Sequence, residues 1–148
     1  MSSKICSYSI VKVSGLSMAP FFKSNDVLLL EMGHHLNSQN LGLCYLIENN
    51  IHRLIATNSY KGDRLIYYDK VNSLPTAIVV GKIVEKNQKK YLTNHLNPFL
   101  LFISKIIAVL SRFNLEKSTL RLPSLILIIV LGSSHRFLEN LTLKEFQS

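Results

Sequence analysis

Residues 8–14 (YSIVKVS) alternate apolar and polar side chains, the two-residue period of an edge or half-buried strand. Residues 26–31 (DVLLLE) predict a second strand, and 33–40 (GHHLNSQN) a loop rich in turn formers. Two further apolar runs, 43–48 and 51–57, meet across Asn49-Asn50. Asn tolerates positive φ, so this junction predicts a tight hairpin. Lys61-Gly62-Asp63 predicts a turn before LIYYD, and 77–84 (AIVVGKIV) a strand in which Gly81 marks a bulge or a close backbone approach.

The period changes after residue 94. Asn97-Pro98 combines a capping side chain with a proline suited to the first helical position. Residues 98–113 predict a helix whose Ser104, Lys105, Ala108, Ser111 and Arg112 form a narrow polar stripe beside a broad apolar face. A second apolar run, 122–131, contains Pro123 and is expected to stop at Gly132. The expected architecture is mainly β: an antiparallel domain over 1–94 and an apolar, basic helical extension over 95–148, α+β overall.

Composition fits a packed chain of this kind. Of 148 residues, 47 % are hydrophobic, too many for a disordered segment. The net charge of +8 is uneven: residues 1–81 carry 7 Lys+Arg against 5 Asp+Glu, and 82–148 carry 10 against 4. Such an excess suits an anionic partner or a solvated basic face. Cys6 and Cys44 lie in apolar, strand-like runs and predict buried thiols rather than a disulfide framework. The N-terminal residues have no signal-peptide pattern, and no window offers the roughly 20 apolar residues of a bilayer span. The expected location is therefore cytoplasmic or peripheral to a membrane.

The chemistry gathers around Ser17-Met18-Ala19-Pro20, directly after the first strand. A serine hydroxyl attacks a carbonyl only if a base takes its proton. Downstream, in order, come Asp26 leading a strand, Ile51-His52-Arg53-Leu54-Ile55, Lys61-Gly62-Asp63, and Val80-Gly81-Lys82-Ile83-Val84. This series resembles the superfamily of type I signal peptidases and LexA-like peptidases over roughly residues 9–86. With His52 where many members carry Lys, it is most similar to the endoplasmic-reticulum, archaeal and sporulating-bacterial signal peptidases.

The resemblance implies a serine endopeptidase with Ser17 as nucleophile and His52 as general base. It implies Asp63 as the carboxylate behind the imidazole, with Asp69 as the competing acid. Met18 and Pro20 are expected at the substrate cleft. An imidazole titrates near neutrality, so it suits base catalysis without the burial a lysine needs. The sequence departs from the family at Asn25-Asp26, where Gly-Asp is usual, at Gly42-Leu43, which lacks the second acid, and at Gly15, where many members carry serine. The usual N-terminal anchor is also missing.

No cofactor is implied. His34-His35 have no third ligand at useful spacing, so no metal is expected. Lys86, Lys89 and Lys90 beside Tyr91 predict a solvated face rather than a nucleic-acid site. The expected partners are a peptide or protein substrate of leader or signal type and a membrane surface contacted through 98–131; no pattern specifies an oligomeric state. The competing readings are a catalytically silent peptide- or membrane-binding module on the same fold, and a LexA-like self-processing protein.

Overall fold

Alternation and turn chemistry become an eight-stranded antiparallel sheet. The computed structural model describes residues 7–15, 18–19, 21–33, 40–62, 74–116 and 121–146. The strands are β1 (Ser7–Lys12), β2 (Val27–Met32), β3 (Cys44–Ile47), β4 (Asn50–Ala56), β5 (Ser59–Lys61), β6 (Ala77–Lys86), β7 (Lys89–Asn94) and β8 (Leu143–Glu145). Helices α1 (Pro98–Glu116) and α2 (Arg121–Glu139) separate β7 from β8, and a 3-10 turn at Asn140–Thr142 leads into that last strand. The fold is mainly β with a C-terminal helical part, an α+β architecture.

Strand order is β1-β2-β6-β3-β4-β5, and β7 and β8 branch from β6. The branch has a local cause. Along one edge β6 pairs with β2 from Ala77 to Ile83, while its other edge pairs first with β3 at Ala77 and Ile78, then with β7 from Gly81 onward. The sheet therefore forks at Val80-Gly81. The β2–β6 register also shifts there, between Leu29 and Leu30, leaving Val80 as an extra residue. Gly81 meets both expectations for its position: a Cβ built on it would run into the Thr93 carbonyl oxygen.

Two-residue turns close the hairpins. Glu48 and Asn49 both take positive φ, 47° and 67°, between the paired Ile47 and Asn50. Asn87 and Gln88 do the same between Lys86 and Lys89, at 52° and 63°. Turns with both central residues at positive φ match the right-handed twist of the strands they join. Asn97 caps α1: its Oδ1 accepts the Phe99 N–H at 3.0 Å.

Three short strands escaped the sequence pattern. β7 begins in the basic KKY segment, and β5 and β8 are three residues each, too short for a period to show. The LIYYD segment, residues 65–69, lies outside the described residues. Helix α2 continues through Gly132 to Glu139 instead of stopping. A helix-interior glycine costs only about 1 kcal/mol relative to alanine, and the buried contacts of His135 and Glu139 beyond it hold the last two turns.

The helices share a core with the sheet. Phe21, Phe22, Leu28, Leu30, Cys44 and Val79 pack with Ile103 and Ile107 of α1 and Ile128 of α2. A second cluster, including Tyr45, Ile47, Leu54 and Tyr60, lies on the other face of the β3–β4 hairpin. Cys44 is a buried thiol that forms no disulfide among the described residues; Cys6 lies outside the described residues.

The fork gives a direct test. Gly81→Ala should destabilise the chain by about 1–3 kcal/mol or more, since the obstacle is backbone. Gly33→Ala, at φ +95° with open space around it, should lose only about 1 kcal/mol from backbone strain. Urea denaturation of both variants checks the ordering.

Candidate active site

The chain leaving β1 is tied at both ends of a loop. Val13 N–H donates to the Asp26 carbonyl at 2.8 Å, and Asn25 N–H to the Val13 carbonyl at 2.9 Å. Asp26 Oδ2 accepts the Lys23 N–H at 2.8 Å. Asn25 takes φ 74°, so asparagine fills the role expected of glycine there. Within this closed loop Gly15 has φ 92°, and Met18 is 2 % exposed in the main core.

Beside the loop lies a cleft of about 240 Å³. Its walls are Val11, Val13 and Met18 on one side and Leu46 and Ile51 of the β3–β4 hairpin on the other. Polar groups at its lining are Lys12, Ser14, Asn49 and Asn50. β1 ends the strand order, and among the described residues its outer edge pairs with no strand. An extended peptide can add to such an edge, with alternate side chains entering the cleft.

The cleft adjoins two predicted site residues in sequence. Gly15 and Met18 flank Ser17, and Ile51 precedes His52. Ser17, Pro20, Asp63 and Asp69 lie outside the described residues, as do His34 and His35. Met18 serves both core and cleft. His52 is 6 % exposed on β4, directly opposite Tyr45 on β3. Successive residues of a strand face opposite ways, so Ile51 turns toward the cleft and His52 toward the cluster containing Tyr45 and Leu54.

Arg53, the next residue, is fully buried. Its Nη1 donates to the Gly42 carbonyl at 2.9 Å and to Ser104 Oγ, and its guanidinium sits 4.1 Å from the Phe21 ring centroid. Ser104 Oγ in turn donates to the Gly42 carbonyl at 2.6 Å. Gly42, at φ +88°, lets α1 come this close: a Cβ there would lie 2.7 Å from the Lys105 backbone nitrogen. Lys61, also buried, directs Nζ toward the Ser111 carbonyl at 3.5 Å. The stripe of small polar residues on α1 therefore faces inward, where buried cations need acceptors. Nearby, burial and the neighbouring Tyr45 push the Tyr60 phenol up to about 12.

A second polar cluster joins α2 to β6 and β7. Glu139, 1 % exposed, pairs through Oε2 with Lys82 Nζ. Its Oε1 lies 3.0 Å from His95 Nε2 and 3.3 Å from His135 Nδ1. Both imidazole contacts sit off the axis of a good hydrogen bond. Phe22 stacks on His95 with centroids 5.4 Å apart, and Phe21 lies 4.0 Å from His135. Burial alone would raise the Glu139 carboxyl; His135, His95 and Lys82 outweigh it and hold that group well below its usual range. Burial pushes His135 down to about 4 against the pull of Glu139, with the charges of His95 and Arg53 adding to the fall. Among the described residues no group of His, Cys, Asp or Glu is arranged to hold a metal ion. The carboxylate already has the Lys82 ammonium as its counter-ion.

Comparison of the chain with protein-family models, curated proteins and solved structures finds no match.

Sequence reasoning missed both buried clusters. The one signal available was His135 four residues before Glu139, a helical i,i+4 pair in an otherwise apolar run.

The Glu139 cluster makes stability depend on pH. Between pH 6.5 and about 4 the unfolded chain protonates His135 while the folded chain resists. Stability is present at neutral pH and falls as pH drops through that window, and the lowered Glu139 adds to the loss below its ordinary value of 4.5. His135 should contribute about 2 kcal/mol of lost stability between pH 7 and pH 5. Denaturant titrations at the two pH values check this; His135→Asn should remove most of the difference.

Proposed function

We propose that this chain is a serine endopeptidase that cuts an extended leader or signal-like peptide. The observation that carries the reading is the cleft beside the edge of β1 that pairs with no strand among the described residues, bordered in sequence by the neighbours of Ser17 and His52. The peptide adds as a strand to β1, and its side chain before the cut, a small one such as alanine, enters between Val13, Met18 and Ile51.

In the first half-reaction Ser17 Oγ attacks the scissile carbonyl carbon as His52 takes the hydroxyl proton. The backbone N–H of Ser17 holds the oxyanion. When the tetrahedral intermediate collapses, the C–N bond breaks, and His52 returns its proton to the leaving amine. Water, deprotonated by His52, then cleaves the acyl-enzyme ester. Asp63, or Asp69 in its place, orients the imidazole and stabilises its charged form.

One observation favours the alternative of a silent peptide-binding module. His52 faces Tyr45, on the side of the hairpin opposite Ile51. Productive geometry requires the loop around Ser17 to bring its hydroxyl to that side.

A quenched peptide carrying alanine before the cut separates the two. Ser17→Ala should abolish cleavage and keep peptide binding, while His52→Ala should lose roughly 10²–10⁴-fold in kcat/KM. Activity of the unmodified chain should rise with pH and then level off, because the imidazole must be neutral to take the hydroxyl proton. Asp63→Asn should retain more activity than His52→Ala and move the rise to lower pH, because a carboxylate favours the charged imidazole. Binding without cleavage at any pH would establish the silent module. Unchanged cleavage by Ser17→Ala would remove the mechanism.

A further inference from the structure

Helix α2 buries several polar groups and exposes several large apolar ones. The side it turns to the protein carries Ser124, Ile128, Gly132, His135 and Glu139, all buried. The side it turns outward carries Leu122, Ile126, Leu127, Ile129, Val130 and Phe137, all exposed, with Ser133 and Ser134 among them. A helix at a water-facing surface has the reverse arrangement. α1 extends the same outer surface with Phe99, Phe102 and Val109. Exposed apolar patches on this scale mark a surface with a partner.

Charge identifies the partner. Among the described side chains, the outward surface of the two helices carries the cations Lys105 and Arg112 and no carboxylate, since Glu139 is buried. A second copy of the chain would bring the same cations and no described carboxylate on this face to meet them. Anionic lipid head groups meet both features, with acyl chains against the apolar side chains and phosphates against the two cations.

The depth follows from the inner face. The segment Leu122–Thr142 is long and apolar enough to cross a bilayer, with mean hydropathy 1.3 over its best window. Crossing would strip Glu139 from Lys82 and His95, and Arg136 from Asp26, 3.5 Å away. We infer that the α1–α2 hairpin docks flat on an anionic bilayer, its outer face sunk into the head-group boundary and its inner face kept on the sheet. This inference stands apart from the peptidase reading, because binding needs neither Ser17 nor His52.

The chain contains no tryptophan, so single introduced tryptophans report location without background. Full-length Phe102→Trp, Phe137→Trp and, on β1, Tyr8→Trp, each also carrying Ser17→Ala, are mixed with vesicles of phosphatidylcholine with and without phosphatidylglycerol. Tryptophans at 102 and 137 should shift to the blue and be quenched by brominated acyl chains in the anionic vesicles, while the one at 8 should not. Lys105→Gln and Arg112→Gln should each weaken binding roughly five-fold. Absence of vesicle binding would overturn the inference, as would equal quenching at position 8. A dimer in size-exclusion chromatography whose tryptophans at 102 and 137 are already blue-shifted, and which ignores vesicles, would assign the face to a second copy and overturn it too.

Discussion

The buried carboxylate of Glu139 is the constraint around which this fold is organised. An ionised carboxylate removed from water is costly unless cations and polar groups surround it. Lys82 on β6, His95 just after β7 and His135 one turn back on α2 meet that need together. The end of α2 is thereby fixed over the point where the sheet forks. From there the chain can only turn back, through Asn140–Thr142, into β8 beside β7. Removing one partner would leave a buried charge uncompensated, which costs far more than the pair contributes.

Buried cations dictate the other helix in the same way. Arg53 and Lys61 come from the hairpin strands into the space under α1, where only small side chains leave their head groups room and acceptors. Ser104, Ala108 and Ser111 supply the room, and Gly42 lets the helix backbone descend far enough to share its carbonyl. The larger apolar residues of α1 divide between the core, as with Leu100 and Ile107, and the outside, as with Phe102 and Val109. Both helices thus spend their inward polar positions on the sheet's charges and leave apolar side chains facing away from it.

Local signals in the sequence were read well because their causes are local. The Asn97 cap and the close approach at Gly81 each depend on residues within one turn or one strand pair, whereas the β3–β4 turn, expected at Asn49-Asn50, forms one residue earlier at Glu48-Asn49, where the strand register sets it. The mixed α+β character followed from the change of period near residue 94. Which side of α1 would face inward was not legible, since Arg53 chooses it from 51 residues away. The Lys82–Glu139 pair was hidden for the same reason. The end of α2 was misplaced because Gly132 is a local stop signal overridden by contacts of His135 and Glu139. For the candidate site, the order of motifs indicated where chemistry would gather, and the cleft lies beside two of those motifs; the relation of Ser17 to His52 rests on resemblance, because only His52 is among the described residues.

The long reach of these contacts also orders events in time. A chain is made from its N-terminus, so Arg53, Lys61 and Lys82 appear 51, 50 and 57 residues ahead of Ser104, Ser111 and Glu139. At about 5–20 residues per second, each cation waits roughly 3–11 s for its partner. Until then the strands that carry them cannot close without burying bare charge, so they stay open and wet on the ribosome. The sheet is written first and sealed last, and the nascent chain passes through a stage in which its strand edges and its apolar helices are both open to other molecules.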